Sequence, residues 1–247
     1  MKISLDKFKQ DFESNFIYYD KEFSCEMRFL EGVSKDDKYL GAKVSTASSL
    51  IAVIKTLKPK KILEIGSWRC FTTNAIAFFI EENYEDTRDV VIDTFEIKRG
   101  GFNGGSVVLK SNLIRQHYWM PHKTFHKMGN EWALLDAGIV YKEFKELEND
   151  EIFEKNLRYL NSIKPNGGYD LIFIDGDHSF EGVGFEYRYS KEVLNEDGVI
   201  IFDDREGHKA VSDFFDTLPK DKTWDFTDLN DKHFKELNVV HNFGLYY

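Results

Sequence analysis

The feature that most restricts the fold is a series of short apolar runs, each ending on an acid or a glycine. Lys61-Ile-Leu-Glu-Ile65 runs into Gly66, Asp89-Val-Val-Ile-Asp93 and Tyr169-Asp-Leu-Ile-Phe-Ile-Asp175 end on aspartate, and so does Val199-Ile-Ile-Phe-Asp203. Such runs are too short for helices and too apolar to alternate, as expected of strands buried on both faces of a parallel sheet. A weaker third strand is expected at His122 to Met128. Helix-spaced segments lie around and between the runs: Ser45 to Leu57, Phe71 to Glu82, Glu151 to Ile163 and Glu181 to Leu194. Strand and helix in alternation predict an α/β fold: a Rossmann-like, doubly wound, mostly parallel sheet with helices on both faces. The tail from Thr223 to Tyr247 is read as one or two closing strands.

At 247 residues, with 42% hydrophobic and 31% charged side chains, the chain reads as one globular domain. Residues 1–40, rich in aromatic and charged side chains, form a helical segment compatible with either a lid or a homo-oligomer interface; 133–168 reads as an insert. No run reaches the roughly 18 apolar residues of a membrane helix, so no membrane partner is expected. The start lacks a secretory pattern, and Cys25 and Cys70 have neither disulfide-framework nor zinc spacing. A cytoplasmic protein with reduced thiols is the expectation. A net charge of −10 argues against nucleic acid, whose binding needs Lys and Arg on phosphates, and for a small-molecule acceptor.

In open α/β sheets ligands bind beyond the carboxyl ends of the strands. After the first strand, Gly66 allows a tight turn and puts the following amides, from Ser67 and Trp68 onward, towards a ligand at a helix N-terminus. The loop lacks G-x-G-x-x-G, so a dinucleotide fits poorly. A carboxylate at the second strand end suits the two hydroxyls of a ribose; Asp93 and Glu96 compete for that role, with Asp93 preferred. At the fourth and fifth strand ends, Asp175, Asp203 and Asp204 are spaced to converge. Three carboxylates in one cleft suit Mg²⁺ or another hard divalent cation. Asp177 and His178 follow directly, and either is placed to take a proton from a hydroxyl. His208 follows the fifth strand and lines either the cleft or a surface loop, whereas His117, His122 and His126 read as structural.

Together Glu64-Ile-Gly-Ser-Trp-Arg-Cys-Phe-Thr-Thr73, Asp93-Thr-Phe-Glu96, Ile174-Asp-Gly-Asp-His-Ser-Phe180 and Phe202-Asp-Asp204 resemble class I methyltransferases, more narrowly the metal-dependent O-methyltransferases of the catechol and macrocin types. The resemblance spans roughly residues 40 to 210. It implies S-adenosylmethionine as cofactor, with Glu64 facing the methionine amine, Gly66 leaving room, and Thr72 on the carboxylate. It also implies Asn130, in Met128-Gly-Asn-Glu-Trp132, beside the adenine, Asp175 at both cofactor and metal, and Asp175, Asp203 and Asp204 on Mg²⁺. Cys70 stands where the family usually has glycine. Two rivals remain open: a metal-independent methyltransferase acting on nitrogen or carboxylate, and a non-catalytic S-adenosylmethionine-binding protein.

Overall fold

The computed structural model describes residues 4–15, 38–67, 70–96, 111–118, 149–205, 207–228 and 243–247. Seven strands form one sheet in the order β3-β2-β1-β4-β5-β7-β6: β1 Lys61–Ile65, β2 Val91–Glu96, β3 Ile114–Tyr118, β4 Tyr169–Ile174, β5 Leu194–Phe202, β6 Thr223–Asp225 and β7 Gly244–Tyr246. The pairs from β3 through β5 are parallel, and β7 runs antiparallel between β5 and β6. The helices are α1 Leu5–Asn15, α2 Lys38–Leu57, α3 Phe71–Asn83, α4 Asn149–Ile163, α5 Phe180–Val193 and α6 Lys209–Phe215.

Period-two alternation sorts the strand residues between two cores. Ile62, Ile92, Leu171, Phe173 and Ile201 face α1, α2 and α3, while Leu63, Phe95, Ile172, Ile174 and Phe202 face α4, α5 and α6. Helix α1 covers the first core: Phe12 is fully buried, with edge-on aromatic contacts to Trp224 and Phe226. The aromatic residues of 16–37 lie outside the described residues. Within the stretch read as an insert, α4 packs Phe153 and Leu160 into the second core.

Two strands differ from expectation. β2 runs on to Glu96, which puts Asp93 in mid-strand. The strand beside it is Ile114–Tyr118; His122 to Met128, read as the third strand, lies outside the described residues. β3 escaped notice because it is polar: Arg115 and His117 share one face, where they meet a buried acid described below.

At the carboxyl edge, backbone bonds carry the sheet into its loops. Asp175 N donates to Ile65 O at 2.8 Å and Asp203 N to Ile174 O at 2.9 Å. The turns after β1, β4 and β5 are therefore held side by side.

Candidate active site at the strand ends

Gly66 joins two of these turns. Its φ is +91°, and a Cβ there would lie 2.0 Å from Asp175 O and 2.6 Å from Gly176 Cα, so only glycine fits. Its amide and that of Ser67 both donate to Phe95 O, at 2.9 and 3.2 Å. This corrects the expectation that the Ser67 amide faces a ligand. The N–H groups without intrahelical partners begin after Cys70, in the first turn of α3, whose first helical bond is Asn74 N to Cys70 O.

Cys70 has φ +54° at the N-cap of α3, the left-handed conformation glycine adopts readily. A cysteine there keeps glycine's backbone path at a strain of about 1–2 kcal/mol. Its side chain is fully buried, Sγ lies 3.9 Å from Gln116 Nε2, and burial, reinforced by the Glu64 charge, pushes the thiol up to about 12. Glu64 is buried too, and its Oε2 accepts hydroxyl bonds from Thr73 and, at 2.6 Å, from Thr94. Ser67 and Thr72 are buried as well; Trp68 lies outside the described residues.

At β2 the two candidate carboxylates separate. Asp93 is 0% exposed and accepts bonds from Arg115 Nε (2.7 Å) and Nη2 (2.6 Å), His117 Nε2 (2.7 Å) and the Tyr169 hydroxyl (2.7 Å). Burial opposes its ionisation, yet the bonds from His117, Arg115 and Tyr169 outweigh burial and hold its carboxyl below the usual range. Asp93 belongs to the scaffold, which corrects its preference as the ribose ligand. Glu96, partly exposed at the strand end, is the carboxylate in reach of the edge. Asn130 lies outside the described residues.

Charge concentrates at β4 and β5. His178 Nε2 is 2.9 Å from Asp204 Oδ2 and 3.8 Å from Asp175 Oδ1, and the His178 ring stacks on His208, centroids 4.1 Å apart at 15°. Burial alone would lower the pKa of His178, but its contacts with Asp175 and Asp204 prevail and raise it from 6.5 to about 10. His178 is thus an imidazolium at neutral pH when nothing else binds there. Asp177 turns away: its Oδ1 accepts the Ser179 amide at 2.9 Å, and Gly182 packs so closely that a Cβ would meet its carboxylate. It braces the entry to α5, where Ser179 is the N-cap.

The expected trio of carboxylates is not what gathers. Asp203 is buried and its Oδ1 accepts the Asp204 amide at 2.8 Å. Among the described residues, the group whose ligand atoms all lie within 4.8 Å of one another is His178, Asp204 and His208. Asp204 reaches it from a left-handed backbone, φ +60°. Mg²⁺ prefers an oxygen shell, so two imidazoles and one carboxylate do not fit it.

Sequence reasoning missed Glu186. It is 6% exposed, its Oε1 accepts the Asp177 amide at 2.9 Å, and a Cβ on Gly176 would strike it. Oε2 meets no donor among the described residues, and burial, with the Asp177 charge, raises its pKa well above the ordinary range. A signal existed: Glu186 falls on the buried stripe Gly182, Val183, Tyr189, Ser190 and Val193 of α5, where a charged residue has no ordinary reason to be.

A glycine turn after β1, an acid at the end of β2 and an acid-histidine cluster after β4 and β5, on this strand order, define a Rossmann-like α/β enzyme of the class I methyltransferase fold. The chain belongs to a family of methyltransferase domains, whose sequence model matches residues 63–205. Among solved structures it is similar to a Staphylococcus aureus protein assigned as a caffeoyl-CoA O-methyltransferase, at 16% identity and TM-score 0.51, over 92% of this chain and 91% of that one. The O-methyltransferase TomG from Streptomyces achromogenes, in complex with SAM, matches at 12% identity and TM-score 0.46, covering 98% and 97%. An O-methyltransferase from Bacillus cereus, in complex with SAH, matches at 11% and 0.45, covering 99% and 91%. No curated protein matches the chain. Among the described residues no helix is long and apolar enough to cross a membrane.

Proposed function

We propose that this methyltransferase takes its methyl group from S-adenosylmethionine and places it on a hydroxyl of a small-molecule acceptor. The observation that carries the reading is contact between two halves of a site: Gly66 abuts the backbone of Asp175, and the Asp175 side chain lies 3.8 Å from His178, which pairs with Asp204. The cofactor turn and the proton-handling cluster thus share one wall.

The close approach of Gly66 to the Asp175 backbone brings the ends of β1 and β4 together, so that one ligand can lie across both. Glu96 at the end of β2 accepts the ribose hydroxyls, and Thr72 with the first-turn amides of α3 faces the methionine carboxylate. Glu64, whose Oε2 accepts the Thr73 and Thr94 hydroxyls, takes the methionine ammonium. The bound cofactor supplies a methyl on a sulfonium, which leaves by in-line displacement. The protein's part is to align the acceptor oxygen and remove its proton. A positive charge at the His178–Asp204 position lowers the pKa of the acceptor hydroxyl, and Asp175, next to His178, receives the proton. Asp177 supports this loop and does not act as base.

The net charge of −10 favours a small acceptor over a polyanion. Calorimetric titration with S-adenosylhomocysteine tests the reading without knowledge of the acceptor. Micromolar binding is expected, weakened about tenfold by Glu96→Ala and little changed by Asp93→Glu in protein that stays folded. Absence of binding to the wild-type protein would overturn it.

A further inference from the structure

The divalent cation that the O-methyltransferase resemblance implies is a hard ion held by carboxylates, and the residues gathered here do not match it. Asp203, whose Oδ1 accepts the Asp204 amide, is not among the residues whose ligand atoms gather. The residues that bring ligand atoms within 4.8 Å of one another are two histidines and one aspartate.

We propose that His178, Asp204 and His208 form a binding site for a borderline divalent transition ion, such as Fe²⁺, Co²⁺ or Ni²⁺, in place of Mg²⁺. Three observations carry this. First, the donors come from two separate turns that the sheet holds together: His178 follows β4, and Asp204 and His208 follow β5, with His208 N donating to Asp204 O at 3.0 Å. Second, His178 Nε2 is buried and 2.9 Å from Asp204 Oδ2, yet it is not aligned as a hydrogen-bond donor to any acceptor. His208 Nε2 approaches the same oxygen at 3.9 Å. Two ring nitrogens thus converge on one carboxylate oxygen without ordinary hydrogen-bond geometry. Third, imidazole suits Fe²⁺, Ni²⁺ and Zn²⁺ where Mg²⁺ prefers oxygen, and two imidazoles with one carboxylate leave coordination positions open for an acceptor oxygen. Asp175, at 3.8 Å from His178, remains outside the trio as a proton acceptor.

The proposal names the metal within the methyl-transfer site described above, but its test does not depend on that activity. The purified protein, freed of metal, is titrated separately with Co²⁺ and Mg²⁺ by calorimetry, and pulsed electron paramagnetic resonance of bound Mn²⁺ looks for nitrogen couplings. One Co²⁺ per chain is expected, with His208→Ala weakening it at least about tenfold and nitrogen couplings present in wild type. His208 is 41% exposed, so its truncation leaves folding intact, which circular dichroism checks. Unchanged Co²⁺ affinity in His208→Ala, or Mn²⁺ bound without nitrogen couplings, overturns the proposal. So does the absence of Co²⁺ binding by wild-type protein that still binds S-adenosylhomocysteine. The converse pattern, with Co²⁺ bound through histidine but no S-adenosylhomocysteine binding, supports the metal site and sinks only the cofactor reading.

Discussion

Two buried carboxylates on the same side of the sheet are treated in opposite ways. Asp93, under the β2–β3 edge, has Arg115, His117 and Tyr169 around it and is held ionised. Glu186, under the β4 loop, has one backbone amide and an oxygen with no donor among the described residues, and burial holds it protonated. A buried charge is tolerated where it is paired, and where it is not the group gives up the charge. Asp93 ties strands together. Glu186 is a neutral prop beneath a loop crowded with acids, where another negative charge would push Asp175 and Asp177 apart.

The strongest way to break this contrast is Asp93→Asn. It leaves Arg115 and His117 facing an amide, and urea denaturation should show a loss of about 3 kcal/mol, at the low end for a broken buried pair because Arg115 is partly hydrated. A loss under 1 kcal/mol would mean that the network does not stabilise the edge.

A pH series sharpens the contrast. Asp93 has a depressed folded pKa, so its contribution is complete above the unfolded value of about 3.9 and is lost as pH falls through the folded value. Glu186 has a raised folded pKa, so its contribution is complete below the unfolded value of about 4.3 and is lost as pH rises through the folded value. Unfolding free energies across pH should therefore show Asp93→Asn flattening the acid limb and Glu186→Gln flattening the decline on the other side. Identical profiles for the two variants would put both carboxylates in the same protonation state.

The smallest effect is expected from Glu186→Gln at neutral pH. An amide replaces a group already neutral, so stability should stay within about 1 kcal/mol of wild type in the same denaturation. A loss as large as that of Asp93→Asn would show that Glu186 is ionised.

Much of this architecture was legible in the residues. Lys61–Ile65 and the Tyr169 run announced themselves because strands buried on both faces are continuously apolar. β3 did not, since an edge strand that serves a neighbour's acid carries Arg115 and His117 instead of an apolar pattern. The placing of Asp93 failed for the same reason: its partners come from β3 and from Tyr169, far along the chain. At the site, Asp175, His178 and Asp204 could be picked from strand ends, because position relative to a strand is a local property. Which ligand atoms meet is not local. It depends on the left-handed turn at Asp204 that swings His208 towards His178, and no spacing rule encodes that turn.

The order of strands at the far edge bears on how the chain is made. β6 reaches the sheet through β7, whose residues 244–246 are inserted between β5 and β6. During synthesis β1 to β5 can pair as they leave the ribosome, but β5 keeps an open flank until β7 emerges and closes it. Over that interval the nascent sheet offers an unpaired strand edge, the feature that most invites pairing with another chain. Aggregation during expression should accordingly respond to changes in β7 more than to changes in the strands made before it.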